Sequence, residues 1–166
     1  KWIGNGKYIG VPISFMIMIL FLIITYIIMQ KTKLGYYAYS IGANERAATL
    51  SGINVLRYKL YIYIYANFLV AIAAILMTSR VNSGQPLLGT GLELKVIAAV
   101  CIGGTSLFGG VGSIIGTFYG VILIGILNNG LNILGVSSFI QEIVIGITIL
   151  LAVFISVVRK KYNIST

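Results

Sequence analysis

Apolar residues in this chain come in long runs, and the polar ones are gathered in the gaps between them. The run Ile9 to Met29 carries no charge. As a helix it is about 31 Å long, which matches a bilayer core of about 30 Å. Pro12 falls in its first turn, where a missing N–H costs little, and Lys31 and Lys33 stop it. Leu60 to Thr78 predicts a second span, with Tyr58, Tyr61, Tyr63 and Tyr65 clustered at its start. Tyrosines there suit an interfacial belt, where the ring is half apolar and the hydroxyl stays wet. Arg80 to Gly91 (RVNSGQPLLGTG) reads as a loop of turn residues. Segments 92–108, 113–134 and 139–158 predict three further spans. Ser138 with Gln141 forms a capping-box pattern, and Glu142 reads as a residue favouring the positive helix start rather than as a proton relay. The pattern as a whole predicts an all-α, polytopic membrane bundle of about five transmembrane helices, spanning roughly 9–29, 60–78, 92–108, 113–134 and 139–158.

Composition agrees. Hydrophobic residues make up 58% of the chain, charged residues 9%, and mean hydropathy is +1.01. A soluble domain carries about a quarter charged residues, so the apolar surplus needs lipid. The net charge of +9 raises nucleic acid as a partner, but the basic residues lie between or beside apolar runs and form no basic stripe interleaved with aromatics. No nucleic-acid partner is expected. Cys101 has no second cysteine to pair with and the chain has no His, so neither a disulfide nor a cysteine–histidine metal set is expected. Three acidic residues, no phosphate loop and no nucleophile elbow leave no catalytic constellation. The chain is therefore read as a non-enzyme without cofactor or metal, and any ATP hydrolysis falls to a separate subunit. It begins Lys1-Trp2, without an initiator Met, and reads as the C-terminal portion of something longer.

Basic residues also set an orientation. With the loop from Thr32 to Lys59 inside, the inner side holds Lys31, Lys33, Arg46, Arg57, Lys59, Arg159, Lys160 and Lys161, and the outer side holds Lys1, Lys7, Arg80 and Lys95. That distribution obeys the positive-inside rule and predicts a cytoplasmic C-terminus. A re-entrant 92–108 segment would throw the terminal Arg-Lys-Lys outside, so a full crossing is favoured.

Three stretches are candidates for function. In the inner loop, Asn44 can cap a helix and Glu45 suits its first turn. Arg46, Ala47, Ala48 and Leu50 follow, and Gly52 can end it. So short a helix needs a partner surface, which is either lipid headgroups or another protein. The second stretch, Ile97 to Gly120, carries seven glycines: Gly103, Gly104, Gly109, Gly110, Gly112, Gly116 and Gly120. The last three recur every fourth residue, a spacing that allows close helix approach, and the others suit a loosened helix or a tight inner turn. The third comprises Asn67, Asn128, Asn129 and Asn132. Their amides either bond neighbouring helices or line a path for a hydroxyl-rich solute.

The stretches SIGANERAATLSGIN, LLGTGLELKVIAAVCIGGTSLFGGVGSIIGT and NNGLNILGVSSFIQEIVIGITILLAVF resemble the C-terminal half of ribose-type sugar permeases. These are the membrane subunits of bacterial ATP-binding-cassette importers, and the likeness covers roughly Tyr36 to Arg159. It implies a permease of about twice this length in the cytoplasmic membrane, paired with a second permease subunit. It also implies cytoplasmic ATPase subunits, an extracytoplasmic sugar-binding protein that holds most of the selectivity, and alternating access. Asn44 to Gly52 would be the coupling helix that seats in the ATPase. The wider class carries Glu-Ala-Ala-x-x-x-Gly here; Ala47, Ala48 and Gly52 keep that pattern and Arg46 departs from it. The competing readings are half of an ion-coupled secondary transporter and a purely structural membrane protein.

Overall fold

The computed structural model describes residues 6–163 apart from 9, 82 and 86–88. Among the described residues seven helices dominate: α1 (Ile13–Lys31), α2 (Lys33–Ala43), α3 (Glu45–Leu50), α4 (Val55–Val81), α5 (Leu92–Ile102), α6 (Ile114–Ile133) and α7 (Ser138–Asn163). α1, α4 and α6 are long and apolar enough to cross a membrane, and α7 is apolar over Ser138–Phe154. Large apolar side chains such as Phe15, Leu20, Phe68 and Phe154 stand half or more exposed along these helices. Such surface is stable only against lipid or further protein. The fold is an all-α membrane protein, as the runs predict.

Contacts divide the chain into two units, residues 1–88 and 89–166. In the first, a two-residue antiparallel ladder pairs β1 (Lys7–Tyr8) with β2 (Val11–Pro12). Pro12 accordingly caps α1 from outside, with φ −60° and ψ 133°, and the helix begins at Ile13 rather than Ile9. Proline forces its predecessor toward extended backbone, and Gly10 at φ +80° makes the turn. Ile9 itself lies outside the described residues.

α2 is a helix within the stretch Thr32 to Lys59 that reads as a loop in the sequence. It follows α1 after one residue, and Gly35 is buried against Met29, where a methyl would lie 2.5 Å from the Met29 Cα. Tyr37 of α2 then meets Tyr58 of α4 edge-on at 4.5 Å. α1 and α4 are joined by the Thr25–Tyr65 hydroxyl pair at 2.7 Å and the Phe21–Phe68 edge contact.

The second unit is built around α5. Its Ala98 and Ala99 are buried with Ile124 of α6 and Ile145 of α7, and Ile102 and Ile149 complete the cluster. α5 is shorter than the expected 92–108 helix. It ends at Ile102, and Gly103 closes it by donating to Ala99 O. At about 16 Å it reaches only half a bilayer core. Residues 103–113 form a folded turn in which Ser106 N donates to Val111 O, and Gly104, Gly109 and Gly110 hold φ of +82°, +85° and +78°. These are left-handed conformations that a Cβ resists.

α5 and α6 are antiparallel, since Gly103 lies against Gly116 and Ala99 against Gly120. At its other end α5 begins beside Gly91, whose Cβ position is 3.5 Å from Glu142 Oε1 in the first turns of α7. α5 thus lies antiparallel along α6, ending near the start of α6 and beginning near the Glu142 side chain of α7.

Candidate functional site

The inner-loop helix α3 is specified at both ends. Asn44 has extended backbone, and its Oδ1 accepts from Ala47 N at 3.0 Å, which satisfies one of the orphan donors of the first turn. At the other end Gly52 takes φ +81°, with Gly52 N donating to Thr49 O and Ile53 N to Ala48 O. Ala48 is buried, whereas Glu45, Arg46, Ala47 and Leu50 are exposed, Leu50 at 89%. A 2.7 Å ion pair from Lys59 Nζ to Glu45 Oε2 ties α3 to the start of α4. With both side chains this exposed, the pair contributes about 0.2–1 kcal/mol and serves chiefly to fix orientation. Asn54 caps α4, its Oδ1 accepting from Arg57 N at 3.2 Å. The arrangement displays Arg46 and Leu50 on a small fixed helix at the start of α4.

Because Asn44 supplies the cap, Asn44→Ala is expected to destabilise α3 locally by about 1 kcal/mol. Amide exchange at residues 45–50 should rise roughly fivefold while exchange in α4 stays unchanged. Equal exchange in both proteins would show that the cap is dispensable.

The glycines fall into two groups. Gly103, Gly116 and Gly120 lie at the α5–α6 crossing. A methyl on Gly103 would sit 2.6 Å from the Gly116 carbonyl carbon and from Thr117 Cα; one on Gly116 would collide with Gly103 O, and one on Gly120 with Ala99 O. Here backbone meets backbone. Gly112 does not continue this face, because α6 starts only at Ile114. Ser113 caps α6 through its Oγ, which accepts from Gly116 N at 3.1 Å, and Gly112 instead faces Thr105, whose Cγ2 is 3.0 Å from its Cβ position. Gly104, Gly109 and Gly110 shape the turn. Thr105 and Thr117 hydroxyls, 3.4 Å apart, link that turn to α6.

The four asparagines behave differently from one another. Asn67 is exposed on α4, and its Nδ2 donates to Tyr63 O of its own helix. Asn129 is exposed on α6. Asn128 Nδ2 donates to Ile124 O at 2.9 Å, and its Oδ1 is buried without a partner. Asn132 accepts from Gln141 Nε2 at 2.9 Å, which is an interhelical bond between α6 and α7. Gln141 is 8% exposed and also donates to Val136 O at 2.8 Å. The expected capping box is therefore absent: Ser138 is already inside α7, and the Gln141 side chain reaches across to the α6–α7 turn instead of back to the helix start. Glu142 is exposed. No group of three or more metal-ligating side chains occurs among the described residues.

Residues 3–153 match the family described as branched-chain amino acid transport system / permease component. Among curated relatives, the ribose import permease protein RbsC of Bacillus subtilis (strain 168) is 51% identical over 158 residues, covering 95% of this chain and 48% of that protein. RbsC of Escherichia coli (strain K12) is 47% identical over 154 residues, with 93% and 48% covered. The xylose transport system permease protein XylH of Haemophilus influenzae (strain ATCC 51907 / DSM 11121 / KW20 / Rd) is 43% identical over 156 residues, with 94% and 42% covered. The chain spans about half the length of the curated relatives it matches. No solved structure matches it.

Proposed function

This chain belongs to the family of branched-chain amino acid transport system permease components, and from that premise we propose that it is the C-terminal half of a permease moving a monosaccharide of the ribose type across the cytoplasmic membrane, driven by a separate ATPase. The observation that carries the mechanism is α3. A helix of six residues, capped by Asn44, ended by Gly52 and pinned to the start of α4 by the Glu45–Lys59 pair, leaves Leu50 uncovered. It is a docking element, and a nucleotide-driven subunit is the partner that gives it a purpose. The relatives named for ribose and xylose supply the substrate class.

The permease pairs with a second permease subunit, takes sugar from an extracytoplasmic binding protein and keeps its C-terminus in the cytoplasm. α1, α4, α6 and α7 cross the membrane, and α5 with its glycine turn makes up a fifth crossing, a reading supported by the basic residues, since a re-entrant segment would put Arg159, Lys160 and Lys161 outside. Gly103, Gly116 and Gly120 hold α5 to α6 tightly enough for the pair to move together. Nucleotide binding favours one conformation and binding-protein release the other. Each can shift the equilibrium only by its difference in affinity for the two states.

The test is reconstitution of the full-length permease with its ATPase and binding protein in proteoliposomes. Ribose uptake is expected to require ATP and to survive an ionophore that collapses ion gradients. Uptake driven by a gradient without ATP would establish the secondary-transporter alternative.

A further inference from the structure

Hydrogen-bond polarity at the α6–α7 end is fixed by chemistry. A backbone carbonyl only accepts, so the atom of Asn128 facing Ile124 O is its Nδ2 donor, and Oδ1 is left over. In the same way Val136 O fixes the Gln141 atom facing it as Nε2. That nitrogen also faces Asn132, which must therefore present Oδ1 to it and keep Nδ2 free. Asn128 and Asn132 are one turn apart on α6, on the same face. The result is an unpaired acceptor on Asn128 and an unpaired donor on Asn132, one turn apart on α6, each held in place by a bond made with the other end of the same amide.

An amide acting as glue between helices would be paired across the interface. Asn128 is not: its single bond goes to its own helix, and its Oδ1 is buried with no partner. Native proteins seldom leave such an atom unpaired without a functional reason. Asn132, by contrast, is exposed.

We propose that Asn128 Oδ1 and Asn132 Nδ2 together receive one hydroxyl group of the transported sugar, with Gln141 as the positioning residue that keeps the Asn132 donor facing the solute. A hydroxyl both donates and accepts, so it satisfies this pair in one step. In the conformation described here Oδ1 is enclosed, and α6 and its neighbours must part before a hydroxyl reaches it. Enclosing an unpaired acceptor disfavours this closed conformation, and the sugar hydroxyl rewards the open one. The inference rests on the sugar-permease reading, and it adds a contact in the membrane subunit to the selectivity of the binding protein.

The experiment measures ATP-driven uptake by the complete reconstituted importer, for ribose and for each of its monodeoxy analogues. Wild type is compared with Asn128→Leu, Asn132→Asp and Gln141→Leu. The binding protein is the same throughout, so its own preferences cancel in the ratio of variant to wild type. Ribose uptake should fall about tenfold in Asn128→Leu, equivalent to one lost hydrogen bond. For one deoxy analogue, the one lacking the received hydroxyl, variant and wild type should transport alike. Asn132→Asp should show the same single-analogue pattern, and Gln141→Leu a weaker one. Thermal stability of purified Asn128→Leu should be retained or raised, because the unpaired acceptor is gone. Equal losses for ribose and every analogue, or no loss at all, would overturn the proposal. Failure of the wild-type importer to take up ribose with ATP would instead reject the sugar-permease reading beneath it.

Discussion

Gly116→Leu is expected to abolish uptake, with less than about a hundredth of wild-type transport remaining and a lowered yield of folded protein. A methyl on Gly116 already collides with Gly103 O, and the remaining leucine carbons have no space at a crossing where Gly103, Gly116 and Thr117 meet through their backbones. Overpacking a well-filled core by a few methylenes costs about 1–3 kcal/mol when side chains can yield. At this crossing the obstacle is main chain, so α5 must separate from α6. Ala98 and Ala99 would leave the cluster with Ile124 and Ile145 that organises the whole unit. Gly125→Leu, one substitution along the same helix, makes an internal control, because nothing lies within 4 Å of its Cβ position. It should transport within about twofold of wild type, given the ordinary small effect of surface substitutions. Uptake and thermal unfolding of the two variants, measured side by side, decide the matter. Wild-type behaviour of Gly116→Leu would show that the α5–α6 contact is not needed for transport.

The long apolar spans are legible in the sequence alone. Long uncharged runs announce α1, α4 and α6 because lipid demands them, and little else satisfies that demand. The ends are harder to read, since they depend on partners. α1 starts after Pro12 because the ladder with Lys7–Tyr8 claims the preceding residues. α4 extends back to Val55 because Asn54 caps it, so that Arg57 and Lys59 ride on a helix rather than in a loop. α2 is hidden by its composition: Gly35, Gly42 and three tyrosines lower helix propensity, and the segment is held by tertiary contacts, the seat of Gly35 on Met29 and the Tyr37–Tyr58 edge contact.

Function-bearing positions divide along the same line. Local chemistry is legible, and the Asn44 cap and the Gly52 terminator of α3 are both found where the residue types suggest. Long-range chemistry is not. The spacing of Ser138 and Gln141 suggests a local cap, yet Gln141 bonds Asn132 and the Val136 carbonyl across a turn. A repeat of Gly112, Gly116 and Gly120 suggests one helical face, but Ser113 starts the helix after the first of them. The orientation of the Asn128 amide follows from a carbonyl four residues earlier, and that bond has no sequence signature because any residue at position 124 has the same carbonyl.

Deleting residues 44–52 is expected to remove the ATPase from the purified complex altogether while leaving the permease in the membrane. The deletion takes out α3 with its caps and strands Lys59, whose carboxylate partner is Glu45. None of the apolar helices loses a residue, so insertion should proceed. A short helix has no stability of its own in water, and its display of Leu50 at 89% exposure makes sense only where another surface covers it. A finer variant separates apolar from electrostatic docking. Leu50→Glu should reduce ATPase co-purification at least tenfold, because it places a charge where the interface would be dry and unpaired. Arg46→Glu should weaken it less, in a salt-dependent way, if Arg46 lies at the rim. It also restores an acidic residue at the position where the wider importer class has one, which makes its direction informative. A loss that high salt relieves would identify an acidic residue of the ATPase facing Arg46. A gain would mean that the partner retains a basic site for the class's usual glutamate. Unchanged pull-down in all three variants would remove α3 from the interface and leave the lipid surface as its partner.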